Sequence, residues 1–159
     1  MTRTLILLRH AKSAWPADAP DAARPLAARG LRDAPAVGRW LHAQTSKIDY
    51  VVCSCAVRAV QTWDLAAVQL DAVPRVRHDE RLYCASAQDL LVVIQELPPS
   101  ASTAVLVGHN PGLEDTLTLL TGLAEPLKTS AIAVITTPLS WKHSRPRTWT
   151  VTTLATPRG

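Results

Sequence analysis

The sequence has 159 residues, 47% apolar and 19% charged, a balance that excludes a disordered chain and, at ~100–200 residues per domain, fits a single domain over 1–159. Lys and Arg outnumber Asp and Glu by 17 to 13, for a net charge of +4, which favours an anionic partner without naming it. No apolar run nears the ~20 residues of a membrane span, and Met1-Thr2-Arg3-Thr4 enters a strand-like run with no leader pattern, so a soluble, cytoplasmic protein is expected.

Thr4–Leu8 is a short aliphatic run and reads as a buried strand. From Leu26 to Gln44, Leu31, Ala34, Gly38 and Leu41 recur at helical spacing; Pro35 is tolerable there if regular turns begin near Gly30. Tyr50–Cys53 is a second strand, followed by a helical pattern from Val57 to about Leu70, and Val76–His78 is a third strand. Ser86–Glu96 reads as a helix with Ser86 as N-cap and Pro98-Pro99 as its stop. Ala104–Val107 is a strand ended by Gly108. Asn110-Pro111 then offers an N-cap and a proline at the first helical position, with a helix to about Thr121. Ile132–Thr136 and Thr148–Leu154 form a closing antiparallel pair. The connector between them, from Trp141 to Trp149, is basic with flanking aromatics. It can be taken for a nucleic-acid stripe, but reads better as a hairpin loop whose tryptophans pack at the strand ends. Strands alternating with helices predict an α/β fold: a three-layer α/β/α domain, mainly parallel, with an antiparallel closing strand.

In such sheets ligands bind beyond the carboxyl ends of strands. Arg9-His10 follows the first strand, Gly108-His109-Asn110 follows the strand at 104–107, and Arg58 lies in the first turn of the helix after Cys53. Two imidazoles and two guanidiniums therefore converge on one rim. A guanidinium fork suits phosphoryl oxygens, and the helix start after Asn110 is a further anion site. Gathering that much positive charge is costly without an anion, so a phosphate-type site is expected. The three cysteines, Cys53, Cys55 and Cys84, lack a zinc spacing; Cys53 and Cys55 read as small core residues. His42 and His143 are placed at the surface and in the connector, and His78 in a structural role.

The residues from Leu7 to Ser13, reading LLRHAKS, resemble the R-H-G/A signature of the histidine phosphatase (phosphoglycerate-mutase-like) superfamily. The segment from Cys53 to Thr62 resembles its S-S-P-x-x-R-A-x-Q-T element, with Cys53 and Cys55 in place of Ser and Pro. Val107–Glu114 is similar to the G-H-N-P-G form around the second histidine, and Arg24-Pro25-Leu26 with Gly30 to the element of the short SixA-type branch, the phosphohistidine phosphatases.

The resemblance implies that His10 is the nucleophile and forms a covalent phosphohistidine. It implies that Arg9, Arg58 and His109 hold the phosphoryl oxygens, that Arg24 and Asn110 approach them, and that no metal or cofactor is needed. Arg9 and Arg58 disfavour a cationic His10, which agrees with a nucleophilic nitrogen. Glu80-Arg81-x-Tyr83 is similar to a segment whose Glu donates a proton to the leaving group; beside that role stands a plain surface charge. The short connections at 11–25, 71–75 and 122–130 leave no cap over the site, which suits a phosphorylated protein, such as a histidine phosphotransfer domain, although small phosphorylated substrates fit as well. A small-molecule phosphomonoesterase dependent on Glu80 and a non-catalytic phosphate-binding module are the rivals; nucleic acid is not expected as a partner, and the oligomeric state is open.

Overall fold

The computed structural model describes residues 1–45 and 47–159. Its sheet has six strands in the order β3-β2-β4-β1-β5-β6. β1 (Arg3–Arg9), β2 (Tyr50–Cys53), β3 (Arg75–His78) and β4 (Thr103–Gly108) are mutually parallel. β5 (Ile132–Thr137) runs antiparallel to β1, and β6 (Thr150–Ala155) antiparallel to β5. The mainly parallel sheet with its closing antiparallel pair is as expected.

β1 lies inside the sheet, and the alternation of its side chains divides the core in two. Leu5 and Leu7 join the layer of α3 (Ala87–Gln95) and α4 (Gly112–Thr121), together with Trp141 and Trp149. Ile6 and Leu8 join the layer of α1 (Ala28–Gln44) and α2 (Val57–Ala67), with Trp63. The chain has no Phe, and these indoles supply the large apolar volumes. Trp141 donates to the Ala101 carbonyl at 2.8 Å and Trp149 to Ser144 Oγ at 3.2 Å, so the connector is anchored in the core by both aromatic ends.

Several boundaries and faces differ from the pattern reading. α1 runs unbroken through Pro35, and its buried face is centred on Gly30, Ala34, Val37, Gly38 and Leu41, while Leu31 is half exposed. Close approach decides this: a Cβ on Gly38 would lie 2.1 Å from the carbonyl oxygen of Ala66, so the missing side chain lets α1 pack on α2. α3 is capped as expected, by a capping box between Ser86 and Asp89. α4 corrects the expectation at its start, because Pro111 occupies the N-cap position and the helix begins at Gly112. Asn110 stands one residue further out, where its Nδ2 donates to the Leu127 carbonyl at 2.8 Å and its Oδ1 accepts from Glu114 N–H at 3.3 Å. Cys53 is buried, as read, but Cys55 is exposed because β2 ends at Cys53 and the chain turns outward before α2. His78, read in a structural role, ends β3 with its side chain exposed. Among the described residues no helix is long and apolar enough to cross a membrane.

Candidate active site

The sheet register assembles the site. Arg9 pairs with Gly108 across β1 and β4, so the residues that follow, His10 and His109, leave the sheet side by side with ring centroids 5.1 Å apart. Cys53 pairs with Val107, which puts Ser54 beside His109 and starts α2 one step later, carrying Arg58. A cavity of about 230 Å³ is lined by Arg9, His10, Lys12, Ser13, Trp15, Arg24, Arg58, His109, Asn110 and Thr129. It contains both histidines and all three arginines singled out above. Arg58, His109 and Asn110 form a wall shared with a second cavity of about 400 Å³, which also takes in Asp21, Tyr83, Cys84, Ala85, Pro111 and Gly112.

His10 is buried, and its Nδ1 lies 2.7 Å from the Ala11 carbonyl oxygen. A carbonyl only accepts, so Nδ1 carries the proton and Nε2 the lone pair. Arg58 Nε points at that Nε2 from 3.4 Å. Burial above all, then the charges of His109, Arg58 and Arg9, pull the His10 pKa down to about 3 against the favourable bond to Ala11. The imidazole is therefore neutral in the physiological range.

The second histidine is set by Ser54, which is fully buried. Ser54 Oγ accepts from Ala56 N–H at 3.2 Å and lies 2.8 Å from His109 Nε2. Among the described residues that nitrogen is the acceptor found for the Ser54 hydroxyl proton, so we assign the lone pair to Nε2 and the proton to Nδ1. His109 Nδ1 is buried without a partner. Burial first, then Arg58, lower the His109 pKa to about 4.

Arg9 is held by its Nη1 bond to the Leu127 carbonyl at 2.9 Å, and its Nε is buried without a partner. Glu114 fixes the same loop by accepting from Leu127 N–H at 2.7 Å. Arg24 is buried, not a loose loop cation: it donates to the Ala14 carbonyl and Ser13 Oγ, and its guanidinium carbon stands 3.2 Å from the centre of the Trp15 ring. Asn110 lines the cavity, but its amide is engaged by Leu127 and Glu114. Glu80 sits exposed in a short 3₁₀ turn after β3 and lines neither cavity.

Asp21 was not anticipated. Its Oδ1 accepts from Arg24 at 2.8 Å, its Oδ2 from Arg58 at 3.1 Å and from the Tyr83 hydroxyl, and its backbone carbonyl from Arg58 at 2.8 Å. The Tyr83 bond, followed by Arg24 and Arg58, holds the carboxyl well below the usual carboxylate range. The cost of gathering arginines is offset by this internal anion. The available signal was the i,i+3 spacing of Asp21 and Arg24. Ser54 carried only a motif match, with nothing to mark its bond to a histidine 55 positions away.

Residues 5–83 match the model of the histidine phosphatase superfamily (branch 1), and an uncharacterized protein of Mycobacterium tuberculosis is 37% identical over 150 residues, covering 87% of this chain and 92% of that one. The chain belongs to the histidine phosphatase superfamily. It is thus a phosphatase of the hydrolase class by membership. An uncharacterized protein of Mycobacterium leprae is 32% identical over 150 residues, covering 86% of this chain and 91% of that one. Among solved structures, one from Nakamurella multipartitia, provisionally named phosphohistidine phosphatase SixA, superposes with a TM-score of 0.84 at 28% identity over 99% of this chain and 97% of that chain. One from Agrobacterium tumefaciens with the same provisional name gives 0.84 at 25%, over 98% of each. Within the superfamily's frame, the cavity's two imidazoles and three guanidiniums all come from the strand ends, α2 and the loop before α1.

Proposed function

We propose that this phosphatase removes a phosphoryl group from a histidine side chain displayed on another protein, by way of a covalent phosphohistidine on His10. The observation that carries this reading concerns acids. The carboxylate in the two cavities is Asp21, which is held ionised by Tyr83, Arg24 and Arg58, while Glu80 stands outside both. An alkoxide leaving group needs a proton donor; a phosphorylated imidazole protonated on its other ring nitrogen needs none, because it departs as neutral imidazole.

In the first step His10 Nε2 forms a bond to phosphorus while the bond from phosphorus to the substrate nitrogen breaks, its electron pair returning to that ring. Arg9, Arg24, Arg58 and His109 Nδ1–H carry the charge on the equatorial oxygens, where catalysis is mostly positioning and electrostatics. These guanidiniums supply the positive charge, so the reaction needs no metal. Phosphorylated His10 keeps its Nδ1 proton on the Ala11 carbonyl, and that makes it a good leaving group in turn. Water then attacks phosphorus, the bond to Nε2 breaks, and inorganic phosphate departs.

Incubation with phosphoramidate should label the protein transiently with an acid-labile phosphate, and His10→Ala should carry none. Persistent label in that variant overturns the nucleophile. A ranking by kcat/KM of phosphohistidine proteins against small phosphoesters tests the substrate, and esters at the head of it overturn the substrate class.

A further inference from the structure

We infer that Asp21 is the specificity-determining residue of this site: its carboxylate takes the ring N–H of the departing phosphoimidazolium and so selects phosphohistidine over phosphate esters. The inference rests on the phosphohistidine reading above and adds to it the group that reads the leaving side.

Position comes first. The smaller cavity holds His10 and the arginines, and the larger one opens beyond the wall formed by Arg58 and His109, with Asp21 and Tyr83 on its lining. A phosphoryl group in the first leaves its substituent to lie in the second. Asp21 is half exposed there, so one flank of the carboxylate faces the space the substituent enters.

Capacity comes next. An ionised carboxylate offers about four lone-pair sites. Arg24 takes one on Oδ1, while Arg58 and Tyr83 take two on Oδ2. Oδ1 therefore retains an acceptor site. The anchoring bonds fix the group's direction and keep it charged, so it can accept a proton-bearing nitrogen but is a poor acid toward an alkoxide. A phosphorylated imidazole has one nitrogen bonded to phosphorus and one free. Protonated on the free nitrogen, it presents an N–H⁺ to Asp21; when the phosphorus–nitrogen bond breaks, the pair returns to the ring and neutral imidazole leaves with that proton. A phosphate ester has no such donor and brings only like charge toward a fixed anion.

The charged and titratable groups around Asp21 are Arg24, Arg58, Tyr83, Cys84 and His109. Asp21 is the carboxylate among them, and a carboxylate accepts an N–H⁺ more strongly than the neutral Tyr83 hydroxyl oxygen does.

The test compares Asp21→Asn with the wild type on phosphoimidazole and on p-nitrophenyl phosphate, whose leaving group requires no proton. Asparagine keeps the shape and an acceptor oxygen for the arginines. A charge-assisted bond lost in the transition state should lower kcat/KM on phosphoimidazole about 10- to 100-fold more than on the ester. The alkaline limb of the kcat profile on phosphoimidazole should also move to lower pH, because the bound substrate's ring proton is held less firmly. Equal losses on both substrates, with an unmoved pH limb, would show that Asp21 only props Arg58 and would overturn the inference, as would a gain on both, which would make it a competing anion. Absence of any wild-type turnover of phosphoimidazole would instead sink the phosphohistidine reading, and this inference with it.

Discussion

The Ser54 hydroxyl lies 2.8 Å from Nε2 of His109, and the direction assigned to this bond, from the hydroxyl to the ring, places the imidazole proton on Nδ1. Ser54 belongs to the turn after β2 and His109 to the turn after β4, so the parallel pairing of those strands supplies the contact.

Ser54→Ala should leave His109 Nε2 without its donor in a buried place. An unsatisfied buried acceptor costs about 1–3 kcal/mol, and with neither ring nitrogen partnered the tautomer is no longer fixed, so the Nδ1 donor is held in only part of the molecules. We expect kcat/KM to fall about 10- to 100-fold and the nitrogen NMR shifts of His109 to report the mixed tautomers. Unchanged shifts would mean that Ser54 only fills space.

Arg58 engages three groups through separate atoms: Nε faces His10, Nη1 the Asp21 carbonyl and Nη2 the Asp21 carboxylate. A lysine keeps the charge but not this fork. Arg58→Lys is expected to lose about 10²–10³ in kcat/KM, the usual effect of removing one preorganised donor. A fall under about threefold would show that charge alone suffices.

Much of this site was legible because strand-end rules act on short sequence runs. Arg9, His10 and His109 follow aliphatic runs directly, and Arg58 follows another by five residues. The sheet's order and register were not in those runs, yet the fold needed only parallel neighbours to bring them together. Asp21 was hidden for the opposite reason. It sits in an irregular stretch of Pro, Ala and Asp where no periodicity marks a side chain, and its partners come from α2 and from Tyr83. Leu31 misled because its spacing from Ala34, Gly38 and Leu41 suits a helix face, whereas the buried face is chosen by where glycines permit approach. Glu80 carried a motif, but a motif does not say which residue of the turn after β3 faces the cavity, and there it is Tyr83 that lines it while Glu80 is exposed.

Gly38 is a stability position remote from the chemistry. A methyl group there would meet the Ala66 carbonyl oxygen at 2.1 Å, so α1 and α2 must separate or the helix must shift. Gly38→Ala is expected to destabilise by about 1–3 kcal/mol, as overpacking does, despite the better helix propensity of alanine. Urea unfolding measures it. A stabilised variant would show that the two helices are not held as closely as described.

The buried histidines also set how stability depends on pH. In the unfolded chain a histidine titrates near 6.5, whereas in the fold burial holds His10 at about 3 and His109 at about 4. Between those limits the unfolded state binds more protons than the native state, so unfolding free energy rises with pH and is lost as pH falls through 6.5. From pH 7 to pH 5 each histidine should remove about 2 kcal/mol. Asp21 and Asp79, held low by their bonds to Tyr83 and Arg81 first of all, act in the same direction but below the ordinary carboxylate range. Urea unfolding of the wild type and of His10→Gln at both pH values separates the contributions, because glutamine has no proton to gain. The variant should lose about 2 kcal/mol less than the wild type over this interval. An equal loss would mean that His10 is protonated in the native state at pH 5 and cannot serve as a lone-pair nucleophile there.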